Sequence, residues 1–352
     1  MFASKRIKKA TLVSLLTVLP ALSSVVQAET ILRVGTWLPP TNPQNAIVWP
    51  TWAKWVEEAT EGRVKVEVEE GLGHPKTMFQ LVEDGVINAS FGYHGYVPGR
   101  FKLPQAVEQP GMGVSAEAAS VALWRVYKKY FEQANEFEGL EVIGMFTHGP
   151  GYLHSTQPIT TMADLKGKKI RIGGGVQSEL GELMEVTAVA APAPKVYEML
   201  QQGVIDGVFM PMGEQKALRL NEVAPNVTVI PGGMYLGSFS IFIDPYFLED
   251  LDPKDREAIL SVSGEKLSQL AGEAWDSIDA DGLKVAEESG VNIIRLSDED
   301  PMTQAFKQLT QGLKQHWVDS VKDRGIDAQA AIDELWSEAK AYQATLSSTD
   351  AK

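Results

Sequence analysis

The sequence predicts an α/β protein of two similar lobes, and three observations carry that expectation. The order strand, helix, strand, helix, strand occurs twice, between Ile31 and Phe91 and again between Lys169 and Met210. Such alternation specifies parallel sheets covered by helices. The stretch from Phe79 to Phe91 also aligns without gaps on the stretch from Tyr197 to Phe209, each reading as a helix, a glycine stop and a strand that carries Asn88 or Asp206 near its start. Finally, 352 residues that are 44% apolar and 22% charged suffice for two cores and match the composition of ordinary globular proteins.

The chain opens on a processing signal. Lys5, Arg6, Lys8 and Lys9 precede an apolar run from Ala10 to Val26, and Val26 and Ala28 flank Gln27 in the manner of a small-residue cleavage site. Residues 1–28 therefore read as a secretory signal peptide cut after Ala28, with export to the periplasm as the consequence. The run is short for a retained anchor and is interrupted by Pro20 and several serines. Loss of those four basic residues takes the net charge from -14 to -18. That surface excludes nucleic acid and anionic membranes as general partners. Cysteine is absent, which removes disulfides, thiolate nucleophiles and cysteine metal sites at once.

From Ile31 a strand runs to Trp37 and is stopped by the proline-rich turn Leu38 to Pro43, because proline removes backbone donors. Ile47, Trp52, Trp55 and Val56 fall on one face of a helix from Asn45 to Thr60. Val64, Val66 and Val68 alternate with charged residues, the period of a half-buried strand. A helix from about Pro75 to Asp84 leads to a strand from Val86 to Phe91. Ser115 caps a helix whose apolar stripe runs from Ala119 to Phe131, and Leu140 to Phe146 is a further strand. The irregular segment His148 to Tyr152 is a candidate hinge.

The second unit follows as strand Lys169 to Ile172, helix Val176 to Val186, strand Ala188 to Ala191, helix Lys195 to Gln202 and strand Val204 to Met210. After Pro231-Gly232-Gly233 the chain crosses back through Ser238 to Ile243. A helical pattern with hardly a breaker covers Pro253 to Ser289, long enough to lie across both lobes. Trp124, Trp275, Trp317 and Trp336 sit on helical patterns and read as core. Val291 to Leu296 is a short strand and the rest is helical. The partition expected is 29–148 with about 236–275 in one lobe, 149–235 with about 276–346 in the other, and 347–352 as a polar, frayed tail.

Ligands in parallel α/β sheets bind beyond the carboxyl ends of the strands. Those ends carry Trp37, Tyr93, His94, Tyr96, His148, Arg171, Gly173, Met210 and Glu214, with Tyr152 just beyond and Ser238 where the chain returns. Arg171 is the first candidate. Its guanidinium stays charged and offers a fork that matches a carboxylate in two parallel hydrogen bonds. The glycines after it allow close approach to the following helix N-terminus. The competing reading is a structural salt bridge. Glu214 can pair with Arg171, hold a cationic group, or simply favour the first turn of a helix. The five histidines show no metal spacing, and no G-x-S-x-G, phosphate loop or dinucleotide fingerprint occurs. The residues thus name no metal, no cofactor and no catalytic group.

The stretch from Met162 to Ile172, the stretch from Val196 to Gly207, Glu61 to Val68, and Gly85-Val86-Ile87-Asn88 together resemble the periplasmic solute-binding proteins of tripartite ATP-independent periplasmic (TRAP) transporters, DctP type. The similarity spans nearly all of the chain after the signal. It implies the two-lobed periplasmic binding protein fold, with crossing strands and a long helix spanning both lobes. It also implies capture of a small organic acid in the cleft and delivery to membrane permease subunits driven by an ion gradient. The family's carboxylate-binding arginine falls on Arg171. Two departures stand out: Gly173 occupies a position that is often proline, and no arginine lies near Gly151 or Tyr152 to meet a second anionic group. A monocarboxylate, a zwitterion, or a small amine held by aromatics and Glu214 is compatible with that set. An ABC-type receptor and, least of all, a secreted enzyme are the competing classes.

Overall fold

The computed structural model describes residues 29–350, so the signal-peptide reading lies outside the described residues. Two sheets organise the chain. The first contains β1 (Thr30–Thr36), β2 (Val64–Glu70), β3 (Ala89–Tyr93), β4 (Glu141–Thr147) and β10 (Ser238–Ile243), in the order β2-β1-β3-β10-β4. The second contains β5 (Gly151–Ser155), β6 (Lys169–Ile172), β7 (Thr187–Ala190), β8 (Gly207–Pro211), β9 (Asn226–Val229) and β11 (Asn292–Arg295), in the order β11-β9-β5-β8-β6-β7. The βαβ strands pair in parallel, while β10 and β5 run antiparallel to their neighbours. Each is the first strand laid down after the chain has crossed from one sheet to the other.

The internal repeat is structural. Helix Met78–Glu83 and β3 correspond to helix Val196–Gln201 and β8, and the stop glycines Gly85 and Gly203 both have positive φ, 65° and 68°. Asn88 Oδ1 accepts from Arg33 N at 2.9 Å, and Asp206 Oδ2 accepts from Lys169 N at 2.8 Å. In both units a short polar side chain thus bonds to the backbone of the adjacent parallel strand, at mid-strand in β1 and at the first residue of β6. This explains why β3 begins later than the Val86 expected. Val86 N and Ile87 N both turn back to the Leu81 carbonyl, so those residues finish the helix instead of opening the strand.

Trp49, Trp52, Phe79, Phe91, Phe101, Phe146 and Phe242 are fully buried and fill the first lobe. Ile170, Ile172, Val176, Leu180 and Phe209 are buried in the second. Because side chains alternate along β6, the two isoleucines commit one face to that core and leave Arg171 on the other.

Two features tie the lobes together. The crossing segments run side by side: His148 N donates to Gly237 O at 3.2 Å, Gly151 N to Tyr235 O at 2.8 Å, and Met234 N to Gly151 O at 3.0 Å. The helix Glu265–Glu288 grips both lobes within one turn. Asp276 accepts from Ala116 N and Glu117 N at 2.7 and 2.9 Å on one side, and Asp279 accepts from Gly213 N at 2.6 Å on the other.

Four expectations need correction. The helical pattern from Pro253 to Ser289 is two helices, Pro253–Ser261 and Glu265–Glu288, because Gly264 adopts φ 69° and donates its N–H to Ile143 O at 2.7 Å. The segment taken as irregular at Gly151-Tyr152 belongs to strand β5, and β9 was not foreseen. The helix Ala328–Asp350 packs on Ala116–Val126 of the first lobe, not on the second. Ser115 N donates to Gln343 Oε1 at 2.7 Å, Arg125 pairs with Glu338 at 2.8 Å and Tyr342 OH meets Glu117 at 3.2 Å. That docking also carries the helical backbone through 347–350, where a frayed tail was expected. Ser115 does cap its helix as expected, accepting from Ala118 N at 3.2 Å.

Candidate functional site

Between the sheets lies a narrow cavity of about 40 Å³ walled by Trp37, Tyr93, Tyr96, His148, Arg171, Gln177, Met210, Glu214, Tyr235, Phe239 and Trp275, with Leu38, Ala193 and Pro211 completing it. Aromatic rings dominate the wall. Trp37 stacks on Phe91 with centroids 5.4 Å apart and meets Tyr96 edge-on at 5.9 Å. Phe239 stacks on Trp275 at 5.8 Å.

Arg171 is 2% exposed. Its Nε donates to Ala191 O at 2.8 Å and its Nη2 to Tyr96 OH at 3.3 Å. Among the described residues no carboxylate comes within ion-pair distance of it, which removes the structural salt bridge as its role. A buried charge without an ionic counterpart is costly, and an anion in the cavity would relieve it. Tyr96 OH already accepts from Arg171 and from Ala193 N at 2.8 Å, and its own proton remains to be given. The indole N–H groups of Trp37 and Trp275 are buried without a hydrogen-bond partner. Four donors thus face a space that offers them few acceptors.

The acceptors are fewer. His148 Nδ1 lies 2.6 Å from Gly149 O, which places the proton on Nδ1 and leaves Nε2 a bare acceptor. Burial pushes this imidazole down to about 4, so it is neutral. Glu214 opens the helix Glu214–Ala217 and is 6% exposed. Among the described residues its carboxyl has neither an ion-pair nor a hydrogen-bond partner. Burial pushes it up to about 7, against the opposing pull of Arg171.

Contacts across the seam surround this space. Tyr93 OH accepts from Gln177 Nε2 at 3.0 Å, and Gln177 Oε1 accepts from Gly173 N at 2.9 Å. Glu108 Oε2 accepts from Val176 N at 3.0 Å while its Oε1 accepts from Ser238 Oγ at 2.6 Å. Gly174, at φ 95°, lies so close to Gly95 that any Cβ would overlap the Gly95 carbonyl.

Of the residues singled out from sequence, Trp37, Tyr93, Tyr96, His148, Arg171, Met210 and Glu214 are brought together in the wall. Four are not. His94 is wedged between Ser238 Oγ and Ser240 Oγ at 2.9 and 3.1 Å and packs on Phe101, because its side chain alternates to the face opposite Tyr93. Ser238 spends its hydroxyl on Glu108 and His94. Tyr152 points to a separate depression shared with Asp276, Asp279 and Arg295. Gly173 makes room for the Tyr93 ring without reaching the cavity. Sequence reasoning missed Gln177, Tyr235, Phe239 and Trp275. Trp275 carried a misleading signal, since a helical apolar stripe reads as core whether it faces protein or ligand.

The family model for bacterial extracellular solute-binding protein, family 7, DctP, matches residues 34–319. A TRAP periplasmic solute-binding protein from Bordetella bronchiseptica, solved with bound (R)- and (S)-mandelate, superposes with a TM-score of 0.86 at 33% identity over 89% of this chain and 99% of that one. A marine metagenome TRAP solute-binding protein specific for aromatic acid ligands, in complex with 3-hydroxybenzoate, gives 0.82 at 30% identity over 90% and 99%. A Comamonas testosteroni protein described as outer membrane transporter protein TsaT is 32% identical over 91% of this chain and 94% of its own. The fold and cleft define a two-lobed solute receptor. The chain belongs to the family 7 extracellular solute-binding proteins, the receptors of TRAP transporters. Such receptors bind small organic acids outside the cytoplasm and work with membrane permease subunits. Among the described residues no helix is long and apolar enough to cross a membrane.

Proposed function

We propose that this protein is a binding receptor without catalysis that closes on a small aromatic monocarboxylate. The observation that carries the reading is Arg171: a buried guanidinium with no carboxylate partner, set in a wall of aromatic rings. A carboxylate would take the two-pronged contact from Arg171 and the Tyr96 hydroxyl, and a ring would lie among Trp37, Phe239 and Trp275. One guanidinium balances one anionic group, which favours a monocarboxylate over a dicarboxylate. The mandelate and hydroxybenzoate complexes of relatives sharing 33% and 30% of their residues support the same class.

The lobes, 29–148 with 236–275 and 149–235 with the chain from 276 up to the C-terminal helix, would swing about the crossing segments at His148 to Gly151 and Met234 to Ser238. The receptor would reach the periplasm with its signal peptide removed after Ala28, which N-terminal sequencing of the exported protein checks. Isothermal titration with benzoate, phenylacetate and mandelate against succinate tests the ligand class. One-to-one binding of an aromatic acid, lost in Arg171→Ala, is expected; binding of succinate alone overturns the reading.

A further inference from the structure

We propose that Glu214 is a specificity residue that accepts a hydrogen bond from a hydroxyl group on the ligand, so that the preferred solute is a hydroxylated aromatic monocarboxylate rather than its unsubstituted parent. The inference rests on the ligand class proposed above and concerns a second charged residue lining the same cavity. Among the lining residues Arg171 is the one guanidinium and Glu214 the one carboxyl. Both are buried, at 2% and 6% exposure, and neither neutralises the other by direct contact.

A carboxyl placed at a ligand wall without a partner leaves its acceptor capacity unmet when a purely apolar ring shuts out water. That is expensive for a buried polar group. The donors of the wall do not relieve it. The Tyr96 hydroxyl proton and the indole N–H groups of Trp37 and Trp275 are free, but none lies within hydrogen-bond distance of Glu214, while Gln177 donates to Tyr93 and Tyr235 OH donates to Phe209 O at 3.0 Å. His148 presents an acceptor of its own and cannot serve as donor. With no donor of the wall in contact with Glu214, a hydroxyl of the solute is the group that would meet it.

A hydroxyl suits this position better than an ammonium. It can donate to a neutral as well as to an ionised carboxyl, whereas an ammonium needs the ionised form, which burial opposes. Arg171 in the same cavity also repels a second cation. A site built to receive a substrate hydroxyl discriminates against the analogue lacking it, because the protein group is then left unpaired.

The test is a titration panel on the full exported chain: benzoate against 2-, 3- and 4-hydroxybenzoate, and phenylacetate against mandelate, 3-hydroxyphenylacetate and phenylglycine. The expected result is that at least one hydroxylated acid binds about tenfold or more tighter than its parent acid, and that Glu214→Leu brings the pair to within about threefold while still binding the parent. Comparable affinity for parent and hydroxylated acids in the unmodified protein would overturn the assignment without needing any variant. So would a preference that survives in Glu214→Leu, or phenylglycine binding more tightly than mandelate, which would assign Glu214 to a cation. Failure of every aromatic acid to bind would instead remove the ligand class and this inference with it, whereas benzoate binding without a hydroxyl preference would remove this inference alone.

Discussion

Glu108 Oε2 accepts the Val176 N–H at 3.0 Å, joining a carboxylate of the first lobe to the first residue of a helix in the second. Its other oxygen takes the Ser238 hydroxyl, so one side chain holds both the return crossing and the facing lobe. Val176 N–H is one of the helix donors without an intrahelical acceptor, and a carboxylate there gains from the helix dipole as well as the hydrogen bond. In the proposed hinge motion the two partners would move apart, so the contact would belong to the shut cleft. Glu108→Ala should therefore lower ligand affinity by roughly tenfold, about 1.4 kcal/mol, with far-ultraviolet circular dichroism unchanged. Calorimetry giving an unaltered affinity would show that the clasp does not contribute to closure.

The Gly95–Gly174 approach predicts a steric block. Gly174→Ala puts a methyl group into the Gly95 carbonyl and also strains a backbone at φ 95°. The variant should remain folded but stay open, with a larger radius of gyration by small-angle scattering in saturating ligand than the unmodified protein shows.

Arg171 should tolerate no substitute. Arg171→Ala removes the charge facing the ligand carboxylate and should weaken binding by about 2–5 kcal/mol. Arg171→Lys keeps the charge but loses the planar fork that serves Ala191 and the ligand together, and should recover only a small part of that affinity in the same titration.

The Glu214 carboxyl sets a pH dependence whose sign follows from its folded value of about 7, above the ordinary value of 4.5. Between those values the folded state keeps a proton that the unfolded chain has released. Stability from this group is accordingly intact at pH 4, declines as pH rises toward about 7, and is constant beyond. Glu214→Gln removes the ionisation and should raise Tm relative to the unmodified protein at pH 8, by an amount equivalent to roughly 3 kcal/mol, and leave it unchanged near pH 4. Thermal denaturation followed at both values checks the difference.

The reasons for success and failure in reading the sequence are visible residue by residue. Val64, Val66 and Val68, the strand Lys169 to Ile172, the Ser115 cap and the duplicated glycine stops were legible because local period and backbone chemistry suffice to define them. The strand β5 was not, because Gly149-Pro150-Gly151 looks like a loop when its antiparallel partners β8 and β9 are far away in sequence. The break at Gly264 was hidden for a similar reason: a glycine within a helical pattern stops it only if something, here Ile143 O, is placed to receive its N–H.

The same division runs through the site. By itself the sequence determined an α/β chain with a repeated unit, free of cysteine, and marked Arg171, because a charged residue between isoleucines on a strand that ends in glycines is a local fact. Only the tertiary structure decided that Arg171 and Glu214 face one cavity without neutralising each other, that Trp275 turns its buried indole toward that cavity, and that His94 and Ser238 serve each other instead. Those outcomes depend on which face of one element meets which face of another, and contacts as distant in sequence as His94 with Ser238 or Glu108 with Ser238 are fixed by packing that no local pattern encodes.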